Sequence, residues 1–169
     1  DAFNDIFDKT RCGFDVNAGW DPFTAIPVTP ELTAINARKL KIERVWPSEP
    51  FDDMPFGTAM EYIKAKKPRV LFLGLGEPDE WAHKKSYGRY LRSAHDDDGY
   101  IGRLWQLVQS MPEYKDKTTL IILPDHGRGE DEDWYDHGEK FPEASETWMA
   151  FIGPDTPALG ERSHVHAVT

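Results

Sequence analysis

Apolar positions become regular only after about residue 55. Residues 58–67 place Ala59, Met60, Tyr62 and Ile63 on one side of an expected helix that ends in Lys64, Lys66 and Lys67. Cations in a last turn complement the negative end of the helix dipole, and Pro68 stops the helix. Residues 69–75 (RVLFLGL) are a short, continuous apolar run, which predicts a strand covered on both faces. A longer helix is expected over 87–111, with Leu91, Ala94, Ile101, Leu104, Val108 and Met111 in its apolar stripe and Pro112 beyond its end. Two more buried strands follow, at 118–123 (TTLIIL) and 147–152 (TWMAFI). Helix–strand alternation of this kind predicts an α/β fold, a mostly parallel sheet with helices on both faces.

The first 54 residues read as irregular and loop-rich. Cys12-Gly13 and Asn17-Ala18-Gly19 mark turns, and a loop rich in Pro and acidic residues covers 45–55. Within this stretch Thr29-Pro30-Glu31, ahead of Leu32, Ile35 and Leu40, opens a short helix with Thr29 as N-cap and Pro30 at its first position. The expectation is a single domain over 1–169, with its core at 55–154 and a tail at 155–169. Asp1 in place of an initiator Met, and a stop at Thr169 just after an apolar stretch, read as a fragment incomplete at both ends.

Composition narrows the function. A hydrophobic share of 39%, with six Trp and nine Phe, is enough to build a core. A net charge of −10 argues against binding nucleic-acid polymers, whose phosphates it would repel. A small anion could still bind where metal ions invert the local charge. The lone Cys12 excludes a disulfide framework and a cysteine zinc cage. No apolar run is long enough to span a bilayer. Oligomeric state is left open, a homo-oligomer included.

The chemistry concentrates next to the three expected strands, where ligands sit in open α/β sheets. Asp79 and His83 follow the first, and their spacing of four puts both on one helical face, able to grip one cation. Asp125-His126-Gly127 follows the second strand, where adjacent side chains can converge on a second ion. His137-Gly138 precedes the third. Imidazole and carboxylate are ordinary zinc ligands, and two ions about 4 Å apart can clamp an in-line phosphoryl displacement. Each cluster also has a plain structural reading: a surface helix salt bridge, a turn with a helix cap, and a solvated histidine on an acidic loop. His95 with Asp96, Asp97 and Asp98 reads as a metal cluster or an acidic helix face, and His164 with His166 as a weak metal pair.

The ordered set of Gly76-Glu77-Pro78-Asp79 through His83, then LIILPDHGRG, then His137-Gly138 and MAFIGP resembles the alkaline phosphatase superfamily, nearest its phosphodiesterase and nucleotide-pyrophosphatase branch. The resemblance covers residues 68–154. It implies an alkaline-phosphatase-like fold and a metal-dependent phosphoric ester hydrolase with two divalent ions, most simply zinc. Asp79, His83 and His137 would hold one ion, and Asp125 and His126 would be ligands of the other. The substrate would be a small phosphate ester, and the compartment periplasmic or secreted rather than cytoplasmic. Arg128 is either a contact to a non-bridging phosphate oxygen or a solvated arginine. The attacking Ser or Thr of the family belongs upstream, and no residue here fills that role; Thr58 reads as an N-cap. A sulfatase-like hydrolase is the alternative within catalysis, although three histidines favour zinc over calcium. The other alternative is a non-catalytic metal-binding module.

Overall fold

The computed structural model describes residues 13–162; Cys12, His164 and His166 lie outside them. Thr29 caps helix α1 (Pro30–Lys41), its Oγ1 accepting from Leu32 N at 3.1 Å. The same hydroxyl donates to Glu61 Oε2 at 2.7 Å, which ties the start of α1 to the next helix. Asn36 binds both backbone groups of Phe23 at 2.9 Å, and Leu32 then closes over Phe23 and Ile26. Lys39 is buried, its ammonium facing Asn17 Oδ1 and the carbonyls of Gly19 and Asp21 at 3.1–3.4 Å. Burial lowers its pKa to about 8. Much of the core therefore comes from the stretch before residue 54, where proline spacing hides any periodic pattern.

Helix α2 (Asp53–Lys66) buries Met54, Phe56, Ala59 and Ile63 and ends at Lys67, in the left-handed conformation at φ +50. It starts five residues earlier than the sequence pattern indicates, so Thr58 lies inside the helix. Thr58 is 3% exposed and its hydroxyl has no hydrogen-bond partner, so it is not an N-cap. At Gly57 the side chain of Ile35 on α1 packs directly onto the α2 backbone, since a Cβ there would meet Ile35 Cδ1 at 2.7 Å. The short helix α3 (Glu77–His83) is anchored by Trp81 and Ala82, and Trp81 packs edge-on against Trp46 at 4.7 Å. Helix α4 (Tyr87–Ser110) crosses α3 and α2, stacking Tyr100 on Phe56 at 4.6 Å. None of the described helices is long and apolar enough to cross a membrane.

The expected parallel sheet is not formed. The described residues are 43% helical, 3-10 turns included, and their only sheet has two strands, β1 (Leu120–Ile122) and β2 (Ala150–Ile152). They pair antiparallel, with Leu120 opposite Ile152 and Ile122 opposite Ala150. Parallel pairing needs a crossover, usually a helix, whereas the chain between β1 and β2 contains only 3-10 turns at Asp131–Asp133 and Pro142–Ser145. Residues 70–76 form no strand, and Val70 is 86% and Phe72 76% exposed. A continuous apolar run records hydrophobicity, not the layers needed to cover it, and those layers are not supplied by residues 13–162. After Val108, no hydrophobic side chain among the described residues is buried.

Candidate metal centre

α3 is set in place by reciprocal hydrogen bonds. Asp52, 2% exposed, accepts from Gly76 N and Glu77 N at 2.8 Å each, and Glu77 Oε2 accepts from Asp52 N at 2.8 Å. These bonds satisfy backbone donors at the helix start. With Trp81 and Ala82 turned into the core, Asp79 and His83 occupy the outer face, His83 Nε2 standing 3.3 Å from Asp79 Oδ2.

The other donors arrive on the loop between β1 and β2. Gly129 N donates to Asp136 O at 3.0 Å, bringing the residues around 137 back beside 126. His126 and His137 stack with ring centroids 3.7 Å apart and planes at 21°. The Nδ1–H of His126 donates to Gly127 O at 2.8 Å, which leaves its Nε2 as the free acceptor. That Nε2 lies 3.7 Å from Asp79 Oδ1, and His137 Nε2 lies 3.5 Å from the same oxygen. His83 Nε2 is 3.0 Å from His137 Nε2. One ligand atom from each of Asp79, His126 and His137 falls within 4.8 Å of the others.

These spacings suit a metal ion. Ligands about 2.1 Å from a tetrahedral zinc sit about 3.4 Å from one another, close to the separations around Asp79 Oδ1. Burial lowers the pKa of His137, and the neighbouring His126 lowers it further, so the imidazole is held in the neutral form that ligates metal. Arg128, its side chain 15% exposed, forms an ion pair with Asp79 Oδ1. An arginine bound to a ligating carboxylate orients it from outside the ligand shell. The second guanidinium nitrogen, Nη1, is buried without a hydrogen-bond partner.

Asp79, His126 and His137 are thus brought to one point, with His83 beside Asp79 and His137. Asp125 is not: its side chain is 90% exposed, and Oδ1 reaches only to 3.6 Å from His126 Nε2. The two ligand groups that the resemblance implies merge around Asp79, because His126 and His137 both address the same oxygen. Sequence reading missed the Arg128–Asp79 pair, whose partners lie 49 positions apart. It also missed Asp97, turned from α4 toward Asp52. His95, Asp96 and Asp98 are exposed on α4, away from that contact.

Beside the imidazoles is a cleft of about 400 Å³, with Phe141, Pro142 and Ala144 on its apolar side. Its only sequence signal is Phe141-Pro142, just after His137-Gly138. Comparison with protein-family models, curated proteins and solved structures finds no match to this chain.

Proposed function

We propose that this chain holds a divalent metal, zinc by its donor chemistry, in a centre serving phosphoric ester hydrolysis. The observation that carries the reading is the set of donor atoms from Asp79, His126 and His137, all within 4.8 Å of one another. His83 Nε2 stands beside this set, 3.0 Å from His137 Nε2, and three protein donors leave the fourth tetrahedral position of a zinc ion open to water or a phosphoryl oxygen. The alkaline phosphatase superfamily that the ordered motifs resemble uses two ions, whereas the donors gathered here are those of one, and Asp125 stays exposed beside them.

A divalent ion in this place supplies Lewis-acid polarisation of a phosphoryl oxygen and an acidified water. The chain's own contribution is positional. Glu77 and Asp52 fix the start of α3, and Arg128 holds the Asp79 carboxylate. Burial of Thr58 inside α2 favours a second reading for these residues alone: a module that binds metal and phosphate without an attacking hydroxyl. On either reading the chain by itself takes up metal and turns over no ester.

The test is isothermal titration of zinc into the chelator-stripped chain. The expected result is binding tighter than about 1 μM, weakened at least 100-fold in Asp79→Ala and His137→Ala. No zinc uptake by the stripped chain, or undiminished uptake by both variants, would refute the metal centre.

A further inference from the structure

The cleft beside His126 and His137 has an apolar wall whose position is fixed by the metal loop itself. Phe141, Pro142 and Ala144 belong to the 3-10 turn at Pro142–Ser145 and its approach. Gly127 N donates to Ala144 O at 2.8 Å, so the residue next to His126 holds this wall directly. The approach is so close that a Cβ on Gly127 would meet Glu143 O at 2.2 Å and Glu146 O at 2.5 Å. Any anion engaged at His126 and His137 therefore extends its substituent along a wall set at a fixed distance.

The chemistry of that wall is selective. Phe141 and the stacked imidazoles offer aromatic faces, and aromatic groups prefer such neighbours. Lys140 Nζ lies 4.7 Å from the Phe141 centroid, above its face. Glu139 at the cleft repels a substituent carrying further negative charge. A volume of about 400 Å³ is at the small end for ligand pockets and suits one or two rings.

We infer that the cleft formed by Phe141, Pro142 and Ala144 is the subsite for the ester substituent, and that it selects a compact, uncharged aryl group over a small alkyl or an anionic one. The inference rests on the phosphoric ester reading for the charged end of the ligand and adds the identity of the other end.

The test uses the whole chain loaded with one equivalent of zinc, and titrates it with inorganic phosphate, methylphosphonate and phenylphosphonate. Phenylphosphonate is expected to bind about tenfold more tightly than methylphosphonate. Phe141→Ala should erase that advantage and leave methylphosphonate within about twofold of its original affinity. Ala144→Trp, which fills the cleft without replacing a histidine, should block phenylphosphonate selectively, and serves if Phe141→Ala does not fold. Equal binding of the two phosphonates, or an aryl advantage that survives both substitutions, overturns the assignment alone. Zinc uptake with no binding of any of the three anions overturns the ester reading, and this assignment with it.

Discussion

Asp97→Asn isolates the contact that seats α3. Asp97 reaches Asp52, whose carboxylate holds Gly76 N and Glu77 N, and two carboxylates can make that contact only if one carries a proton. Burial, then the charges of Asp52 and Glu77, push Asp97 from 3.8 up to about 8; burial likewise raises Asp52 to about 7. An acid whose pKa is higher folded than unfolded gives its full stabilisation below the unfolded value and loses it as pH rises through the folded one. The window therefore runs from about pH 4 to about pH 8. The pair shares one proton, so one ionisation counts, and Asp97 is open enough to water to be partly screened. The loss across the window comes to about 2–3 kcal/mol, or about 5–10 °C in Tm for a chain of this size. An asparagine donates its amide N–H to Asp52 at every pH, so the variant should lack this slope. Circular-dichroism melts of both proteins with chelator, at intervals from pH 5 to 8.5, read the difference. His137 and Lys39, both lowered by burial, favour stability as pH rises, and they do so in both proteins and cancel. A difference curve flat across the window would show that Asp97 does not hold a proton against Asp52.

Two further substitutions test the packing around the site. Gly127→Ala forces a Cβ into the carbonyls of Glu143 and Glu146, and should cost about 2–4 kcal/mol by thermal melting while weakening zinc uptake; an unchanged Tm would contradict the close packing. Thr29→Val removes both the cap on α1 and the bond to Glu61, and should lower stability by about 1–2 kcal/mol in urea titrations; a loss below about 0.3 kcal/mol would mean the cap is idle.

What the sequence discloses and what it hides follow from how local each signal is. The stripe over 87–111 is a helix-period signal, and α4 spans Tyr87–Ser110. The Asp79–His83 spacing needs only one helical turn to bring the two together. Strand pairing is different, because the apolar runs at 69–75 and 118–123 do not encode their partners, and an antiparallel return needed no crossover. The seat of α3 was equally hidden. Asp52 meets Glu77 across 25 positions, joining two segments that separately look like a loop and a helix start. Arg128 illustrates the same limit, since adjacency to Asp125-His126 hints at the site but not at Asp79 as its partner.

Among the described residues the burial of apolar side chains stops at Val108, yet His126 and His137 lie beyond it. Their stretch is kept in shape by turns and ion pairs, so its backbone amides should exchange with deuterium quickly and its loops should be open to proteases while α1, α2 and α4 stay protected. A cation gripped jointly by Asp79 on α3 and the two imidazoles would cross-link this loose segment to the helical half. Capturing the ion and ordering the segment would then be a single cooperative event, with affinity reduced by the work of ordering.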